Sequence, residues 1–133
     1  MKYILDTNII IYYLKGMYPE ISKWLRGIDA SDIYVSSITV AELEYGARGS
    51  NNYEKNMSVY RQFMSAFKII DFDTNAAVCY GDIRNDLKSK GNPIGANDML
   101  IAASALSRGF AVVTHNAREF EHIGGLLVLD PCV

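Results

Sequence analysis

A chain of 133 residues, half of them hydrophobic and about a fifth charged, suits one folded domain with a proper core. This composition excludes a disordered chain, and no apolar run approaches the roughly 20 residues of a membrane span. The net charge of −2 counts mildly against a nucleic-acid binder, which is often basic, although a local basic patch can still serve.

The sequence has no repeat or long linker, so residues 1–133 are predicted to form a single domain. Its first residues are expected to enter the fold directly and not to form a signal peptide. Cys79 and Cys132 lie far apart and match no metal-binding spacing. We interpret them as free, mostly buried thiols. Such thiols fit a reducing cytosol, so a cytoplasmic location is expected.

The first half of the chain is predicted to alternate short strands with helices. The predicted elements are the strand Tyr3–Leu5, a helix from Asn8 to Lys15, a short helix that starts at Pro19, the strand Ile33–Ser36 and a helix from Thr39 to Arg48. Ile9, Ile10 and Ile11 are β-branched and favour a strand locally. A helix is nevertheless predicted there because Thr7 or Asn8 can cap it.

The same alternation continues in the second half. The predicted elements are a helix from Asn52 to Phe67, the strand Lys68–Ile70, a long helix capped by Asp73 that ends at Gly91, a helix from Asn97 to Arg108, the strand Phe110–Val113, a helical turn over 117–122 and the strand Leu126–Leu129. Apolar strands that alternate with helices indicate an α/β fold whose parallel sheet is covered on both faces.

Five polar side chains occur where such a sheet carries its ligands, at the carboxyl ends of the strands. Asp6 follows the first strand, Glu42 lies one turn into the helix after the second, and Asp98 opens an otherwise apolar helix. Asn116 and Glu119 follow the fourth strand. The chain topology can gather all five at one edge of the sheet.

Each acid also has an ordinary structural interpretation. Asp6 can belong to a turn and helix cap, Thr39 and Glu42 fit a capping box, and Glu119 can be a solvated loop acid. Asp98 suits the positive end of a helix dipole. However, the helix that Asp98 opens is apolar nearly all round, so its amino end is not expected to be freely solvated. That favours a functional role for Asp98.

Converging carboxylates repel one another and need raised pKa values or a bound cation. Several carboxylate oxygens suit Mg²⁺ or Mn²⁺, which activate water and hold phosphate oxygens. The chain has no glycine-rich phosphate loop and no Gly-x-Ser-x-Gly. His115 and His122 are interpreted as loop or surface residues, although a histidine pair like that of metal-free ribonucleases stays an alternative.

Four segments carry a combined signature: Leu5-Asp6-Thr7-Asn8-Ile9, Ala41-Glu42-Leu43-x-x-Gly46-Ala47, Ile94-Gly95-Ala96-Asn97-Asp98-x-Leu100-Ile101-Ala102-Ala103, and Val113-Thr114-His115-Asn116-Ala117-Arg118-Glu119-Phe120. In this order they resemble PIN-domain ribonucleases, specifically VapC-type toxins, over essentially the whole chain. The resemblance implies a PIN-like three-layer α/β/α sandwich with a five-stranded parallel sheet in the order 3-2-1-4-5. It also implies a Mg²⁺-dependent endoribonuclease, possessing a cognate VapB-like antitoxin, with a homodimer as the usual unit and tRNA as the favoured substrate class.

The resemblance further implies roles for the five polar residues. Asp6, Glu42 and Asp98 would form the metal site, with Asp6 and Asp98 as principal ligands. Many PIN domains have an acid where Asn116 stands, and an amide cannot contribute the same charge. In VapC-type sequences Glu119 is the nearby acid that can take its place, so Asn116 or Glu119 is expected to supply second-metal or outer contacts.

Two other classes of function stay open at this point. An α/β phosphatase would use Asp6 as its nucleophile, but such enzymes usually carry a second Asp two residues on, where this chain has Asn8. In a non-catalytic binding module the acids would only cap helices. Metal binding would separate that module from both enzymes.

Overall fold

The computed structural model describes all of residues 1–133. At its centre lies a five-stranded sheet in which every neighbouring pair is parallel, in the order β3-β2-β1-β4-β5. The strands are β1 (Tyr3–Leu5), β2 (Ile33–Ser36), β3 (Lys68–Ile70), β4 (Ala111–Val113) and β5 (Leu127–Leu129). The predicted α/β class and the strand order 3-2-1-4-5 are confirmed.

Helices and one 3₁₀ turn connect the strands. The helices are α1 (Thr7–Leu14), α2 (Pro19–Arg26), α3 (Ser37–Arg48), α4 (Tyr53–Met64), α5 (Thr74–Lys90), α6 (Ala96–Leu106) and α7 (Ala117–Phe120), and the 3₁₀ turn, which the sequence did not predict, is Ala30–Asp32. None of these helices combines the length and the apolar character that crossing a membrane requires.

The core consists of two hydrophobic clusters, one on each face of the sheet. Successive side chains of a strand point to opposite faces. Accordingly, Ile4 and Val112 belong to the cluster that contains Ile83 of α5. The next residue of each strand, Leu5 or Val113, belongs to the cluster formed with α1 and α2. Helices therefore cover both faces, as predicted.

The start of α1 shows how burial overrides a local preference. Ile9 and Ile10 are completely buried and pack in the second cluster with Leu5 and Val113. The burial of two large aliphatic side chains stabilises the helix by about 1.5–3 kcal/mol each, which exceeds the small helix penalty of β-branched residues. The helix begins one residue earlier than predicted, at Thr7.

Helix α3 begins two residues earlier than predicted, at Ser37, and this change removes the proposed capping box. Ser36 is the N-cap residue, and its hydroxyl accepts a hydrogen bond from the Ile38 amide at 3.0 Å. Thr39 therefore lies inside the helix, and the capping-box interpretation of Thr39 and Glu42 is wrong.

Several other boundaries, including those of α4 and α6, and one burial class also differ from the predictions. Helix α4 ends at Met64, because tighter backbone turns such as Phe67 N–H to Met64 C=O lead into β3. Helix α6 runs over Ala96–Leu106, one residue earlier at its start and two at its end than predicted. Cys79 and Cys132 are free, as expected, but both are only half-buried.

Candidate active site

Asp6 is held at the junction of the two central strands. It occupies the N-cap position of α1, but its side chain makes no cap hydrogen bond. Instead its Oδ2 accepts a hydrogen bond from the Thr114 hydroxyl at 2.9 Å. Because Leu5 pairs with Val113 across β1 and β4, the residues that follow each strand become neighbours. Asp6 is 3 % exposed, so its carboxylate is fixed and largely dry.

A second chain of hydrogen bonds holds Glu42. The Thr7 hydroxyl lies 2.6 Å from Glu42 Oε1 and 3.0 Å from the Thr39 hydroxyl. The carboxylate can only accept, so Thr7 donates to Glu42 and Thr39 donates to Thr7. Glu42 is thereby fixed from α1 as well as from its own helix α3.

The amino end of α6 approaches the same place. Asn97 Nδ2 donates to Glu42 Oε2 at 3.4 Å, which links α6 to α3. Asp98 follows in the first turn of α6 and is half-buried. A Cβ on the preceding Gly95 would lie 3.6 Å from Asp98 Oδ2, so the helix start is packed closely around this carboxylate.

The carboxylates act on one another electrostatically. Burial, followed by the negative charges of Asp6, Glu42 and Glu119, raises the pKa of Asp98 to about 6. Burial is also the largest cause that raises the pKa of Asp6, and Glu42 and Glu119 add to it. The hydrogen bond from Thr114 opposes that rise. The four acids therefore share one site of unfavourable negative charge.

Asn116 and Glu119 complete the group on the β4 side. Asn116 lines a cavity of about 260 Å³ together with Asp6, Asn8, Tyr12 and His115. The backbone N–H of Asn116 donates to the Thr114 hydroxyl at 2.9 Å, and the same hydroxyl donates to Asp6. Glu119 is exposed and reaches the other acids through its charge. All five residues singled out from the sequence are thus brought together, and their catalytic roles stay predictions.

The chemistry of this group fits a hard divalent cation. Its donors are carboxylate and amide oxygens. After burial, neighbouring negative charges raise the pKa of Asp98, and a dication would relieve their repulsion. No three of the acids bring one oxygen each within 4.8 Å of one another. Such an open arrangement leaves space for water molecules around a divalent ion.

Several residues that organise the site were not predicted. Thr114, Thr7 and Thr39 are all buried, and each binds an acid or its partner through a hydroxyl. Their position in the sequence was the available signal. Thr7 and Thr114 come just after β1 and β4, close to the acids, where a threonine hydroxyl can bond to a neighbouring side chain. The contact of Asn97 depends on the packing of α6 on α3, which no local pattern encodes.

His115 was interpreted as a loop or surface residue, and it does lie in a loop. It follows β4 and is half-buried, its ring centroid lies 4.6 Å from that of Tyr18, and its Nδ1 lies 3.2 Å from Asp130. His122 is exposed beyond α7, as expected.

Comparison with known proteins agrees with this fold. The model of the PIN domain family matches residues 3–126, and the chain belongs to this family. It is 43 % identical over 132 residues, 99 % of each chain, to the tRNA(fMet)-specific endonuclease VapC of Salmonella typhimurium. It is 44 % identical over 123 residues, 92 % of each chain, to ribonuclease VapC2 of Haemophilus influenzae. The predicted resemblance to VapC ribonucleases, and with it the endoribonuclease class, is confirmed.

Solved structures give the same result. The structure of DNA-bound VapBC from Salmonella typhimurium superimposes with a TM-score of 0.92 at 42 % identity and covers 99 % of both chains. VapBC2 from Rickettsia felis, bound to a DNA fragment from its promoter, gives a TM-score of 0.89 at 36 % identity, with 96 % of this chain and 97 % of that chain covered.

Proposed function

We propose that this chain cleaves tRNA in the cytoplasm as a Mg²⁺-dependent endoribonuclease, and that it is the toxin of a VapBC-type pair. The observation that carries the proposal is the convergence of Asp6, Glu42, Asp98 and Glu119 at the carboxyl ends of the central strands. Open α/β sheets bind their ligands at this position. The tRNA(fMet) specificity of the Salmonella typhimurium relative supports tRNA as the substrate class.

Asp6 and Asp98 are the residues that would hold Mg²⁺, or Mn²⁺ in its place. The ion supplies a lowered pKa for a bound water and positive charge beside the phosphate oxygens. Thr114 fixes the Asp6 carboxylate, and Asn97 with Thr7 fixes Glu42. A fixed Glu42 can accept a hydrogen bond from the attacking water and so orient it towards the phosphorus.

Asn116 and Glu119 have the outer roles. Asn116 lines the cavity that contains Asp6, and its side-chain amide makes no hydrogen bond to cap α7. It is therefore free to contact a water or a phosphate oxygen. Glu119 is exposed at the rim, where it can hold a second ion in the presence of RNA.

A toxin of this kind requires a neutralising partner. Structures of three similar chains are complexes of VapB with VapC, from Salmonella typhimurium, Rickettsia felis and Haemophilus influenzae. A VapB-like antitoxin would block this site most simply with an Arg or Lys side chain, because a cation there replaces the charge of the metal. A homodimer is the expected unit within the complex.

The test is cleavage of RNA by the purified chain. Total tRNA incubated with Mg²⁺ should yield discrete fragments, EDTA should abolish them, and Asp6→Asn should remove cleavage. Asp82→Asn is the matched control, because Asp82 is an exposed acid on α5 and should have no effect.

Two results would contradict this proposal. Tight Mg²⁺ binding without cleavage of any RNA would favour a binding module. Hydrolysis of a phosphate monoester such as p-nitrophenyl phosphate, lost in Asp6→Asn, would favour the phosphatase alternative.

A further inference from the structure

A second group of potential metal ligands lies next to the acidic site and is separate from it. His115, Asp130 and Cys132 each offer one donor atom, and all three atoms lie within 4.8 Å of one another. It is the one group of three or more His, Cys, Asp and Glu side chains in the chain with donors this close. All three residues are half-buried, so the group is neither solvated surface nor closed core.

The donor spacing matches that of a tetrahedral metal site. His115 Nδ1 lies 3.2 and 3.3 Å from the two carboxylate oxygens of Asp130. Two ligands bound at about 2.0 Å to one tetrahedral zinc ion are about 3.3 Å apart. Cys132 Sγ lies within 4.8 Å of the other two donors. A Zn–S bond of about 2.3 Å places sulfur roughly 3.5 Å from the other ligands, so the thiol would need to approach by up to ~1.3 Å.

The backbone orients two of the three side chains before any ion binds. The Cys132 amide donates to Asp130 Oδ1 at 2.8 Å, and the Val133 amide donates to the Asp130 carbonyl at 3.3 Å. Pro131 occupies the second position of this turn, where its fixed φ is favourable. The turn therefore presents the carboxylate and the thiol on the same side, towards His115.

The geometry points to a zinc-class site formed by His115, Asp130 and Cys132, with a water or an added ligand in the fourth position. A mixed set of imidazole, thiolate and carboxylate donors prefers Zn²⁺ or Co²⁺ to Mg²⁺, which prefers oxygen alone. This site therefore differs from the acidic site in metal preference, and the proposal does not depend on RNA cleavage.

A reactive thiolate is a poorer interpretation of Cys132. Burial, followed by the negative charges of Asp130 and Glu20, raises the pKa of the thiol to about 11. Reactive cysteines have lowered pKa values in electropositive surroundings. A dication reverses this situation, because a coordinating thiol releases its proton to solvent and binds the metal as a thiolate.

Occupation of the site would fix one wall of the catalytic cavity. His115 lines that cavity beside Asp6 and Asn116, and its ring packs against Tyr18. Coordination would join the loop after β4 to the turn after β5. The metal would thus connect the C-terminal segment to the loop that lines the acidic site.

Titration of the reduced, full-length chain with Co²⁺ in excess Mg²⁺ tests the proposal. We expect one equivalent to produce the near-ultraviolet absorption of a thiolate–Co²⁺ bond, and one equivalent of Zn²⁺ to remove it. Cys132→Ser should lose this absorption entirely, and His115→Ala and Asp130→Asn should weaken it. Cys79→Ser, which changes the other half-buried thiol, should retain it.

Two variants keep the outcome decisive. Asp98→Asn should retain the thiolate absorption, which would show that the acidic site is not involved. Circular dichroism of Cys132→Ser checks that loss of absorption is not loss of fold. Absence of thiolate absorption in the folded wild-type chain would reduce the group to a contact between His115 and Asp130 and overturn the proposal. Absorption that survives Cys132→Ser or disappears with Asp98→Asn would overturn it too.

Discussion

The Thr7 hydroxyl donates a 2.6 Å hydrogen bond to the Glu42 carboxylate, across 35 positions of sequence. Thr7 lies in the first turn of the helix after β1, and Glu42 lies in the helix after β2. Hydrogen bonds to a charged acceptor are shorter and about twice as strong as neutral ones. This bond ties the two helices together at the catalytic edge of the sheet.

Thr7→Val should lower both stability and cleavage. Valine has nearly the same shape, but it leaves the Thr39 hydroxyl and Glu42 without their shared partner. The expected loss is about 1–3 kcal/mol in the free energy of unfolding, measured by urea denaturation, with slower RNA cleavage at saturating Mg²⁺. Thr7→Ser keeps the hydroxyl and should retain most of both. Equal behaviour of the two variants would show that the hydrogen bond has no role.

Asp6→Asn should separate catalysis from folding. The amide oxygen can still accept the hydrogen bond from Thr114, while the charge that burial disfavours is removed. Stability should therefore stay the same or rise, whereas RNA cleavage should fall by at least ~100-fold, more than is typical for loss of an outer partner of a metal ligand. Cleavage assays and melting temperature on the same preparation are the measurement. Full cleavage in this variant would exclude Asp6 as a ligand.

Without divalent metal, the chain should become less stable as the pH rises from about 4 to above 6. The pKa of Asp98 is about 6 in the folded chain and 3.8 as its ordinary value, so the folded state holds the proton more tightly. That stabilisation is complete below the ordinary pKa and is lost as the pH passes through the folded pKa. Allowing for solvent around this half-buried group, the loss is about 1 kcal/mol.

Urea denaturation of Asp98→Asn and of the wild-type chain at several pH values, both in EDTA, measures this effect. The variant should lose this part of the pH dependence. If its stability varied with pH as the wild type's does, the origin of the effect would lie elsewhere.

Mg²⁺ should stabilise the folded chain by mass action. At ten times its Kd, an ion that binds only the folded state adds about 1.4 kcal/mol, which corresponds to a rise in Tm of roughly 3–6 °C for a domain of this size. Asp98→Asn should show a smaller rise, and Na⁺ at equal ionic strength should give none. Identical melting curves with and without Mg²⁺ would argue against a shared metal site.

Co-expression with the cognate antitoxin should restore growth to cells that produce this chain. A basic side chain of the antitoxin seated among Asp6, Glu42 and Asp98 would compete directly with Mg²⁺ for their charge. The growth curve of the native host, with the toxin induced alone and together with its partner, is the measurement. Induction of the toxin alone without harm would refute the toxin assignment, even if the purified chain cleaves RNA.

The sequence predicts the fold well because its main signals are local. Strands such as Ile33–Ser36 are short and apolar. The cap Asp73 marks the start of α5, and its side chain accepts a hydrogen bond from the Ala76 amide. Helix boundaries were less predictable. Ser36 is the last residue of β2 and also the N-cap of α3. Because one residue has both roles, the sequence shows no loop between the strand and the helix that would mark where the helix begins.

Asp6 could also be found from sequence, because an acid after a buried strand is an unusual placement, and the resemblance to VapC-type toxins supplied the roles of Glu42 and Glu119. The groups that hold them could not. Thr114 and Asp6 are 108 positions apart, and their hydrogen bond exists only because β1 pairs with β4. The same holds for His115 and Cys132, whose separation in sequence matches no metal motif and whose proximity follows from the pairing of β4 with β5.

The pairing of β1 with β4 has a consequence for synthesis of the protein. A ribosome that has made Asp6, Glu42 and Asp98 has not yet made the strand that holds Asp6 in place, because Thr114 and Glu119 come later. A nascent chain therefore lacks the hydrogen bond that fixes Asp6, and its acidic site is not yet assembled. An antitoxin that binds during translation would meet the acids before the fold has brought them together.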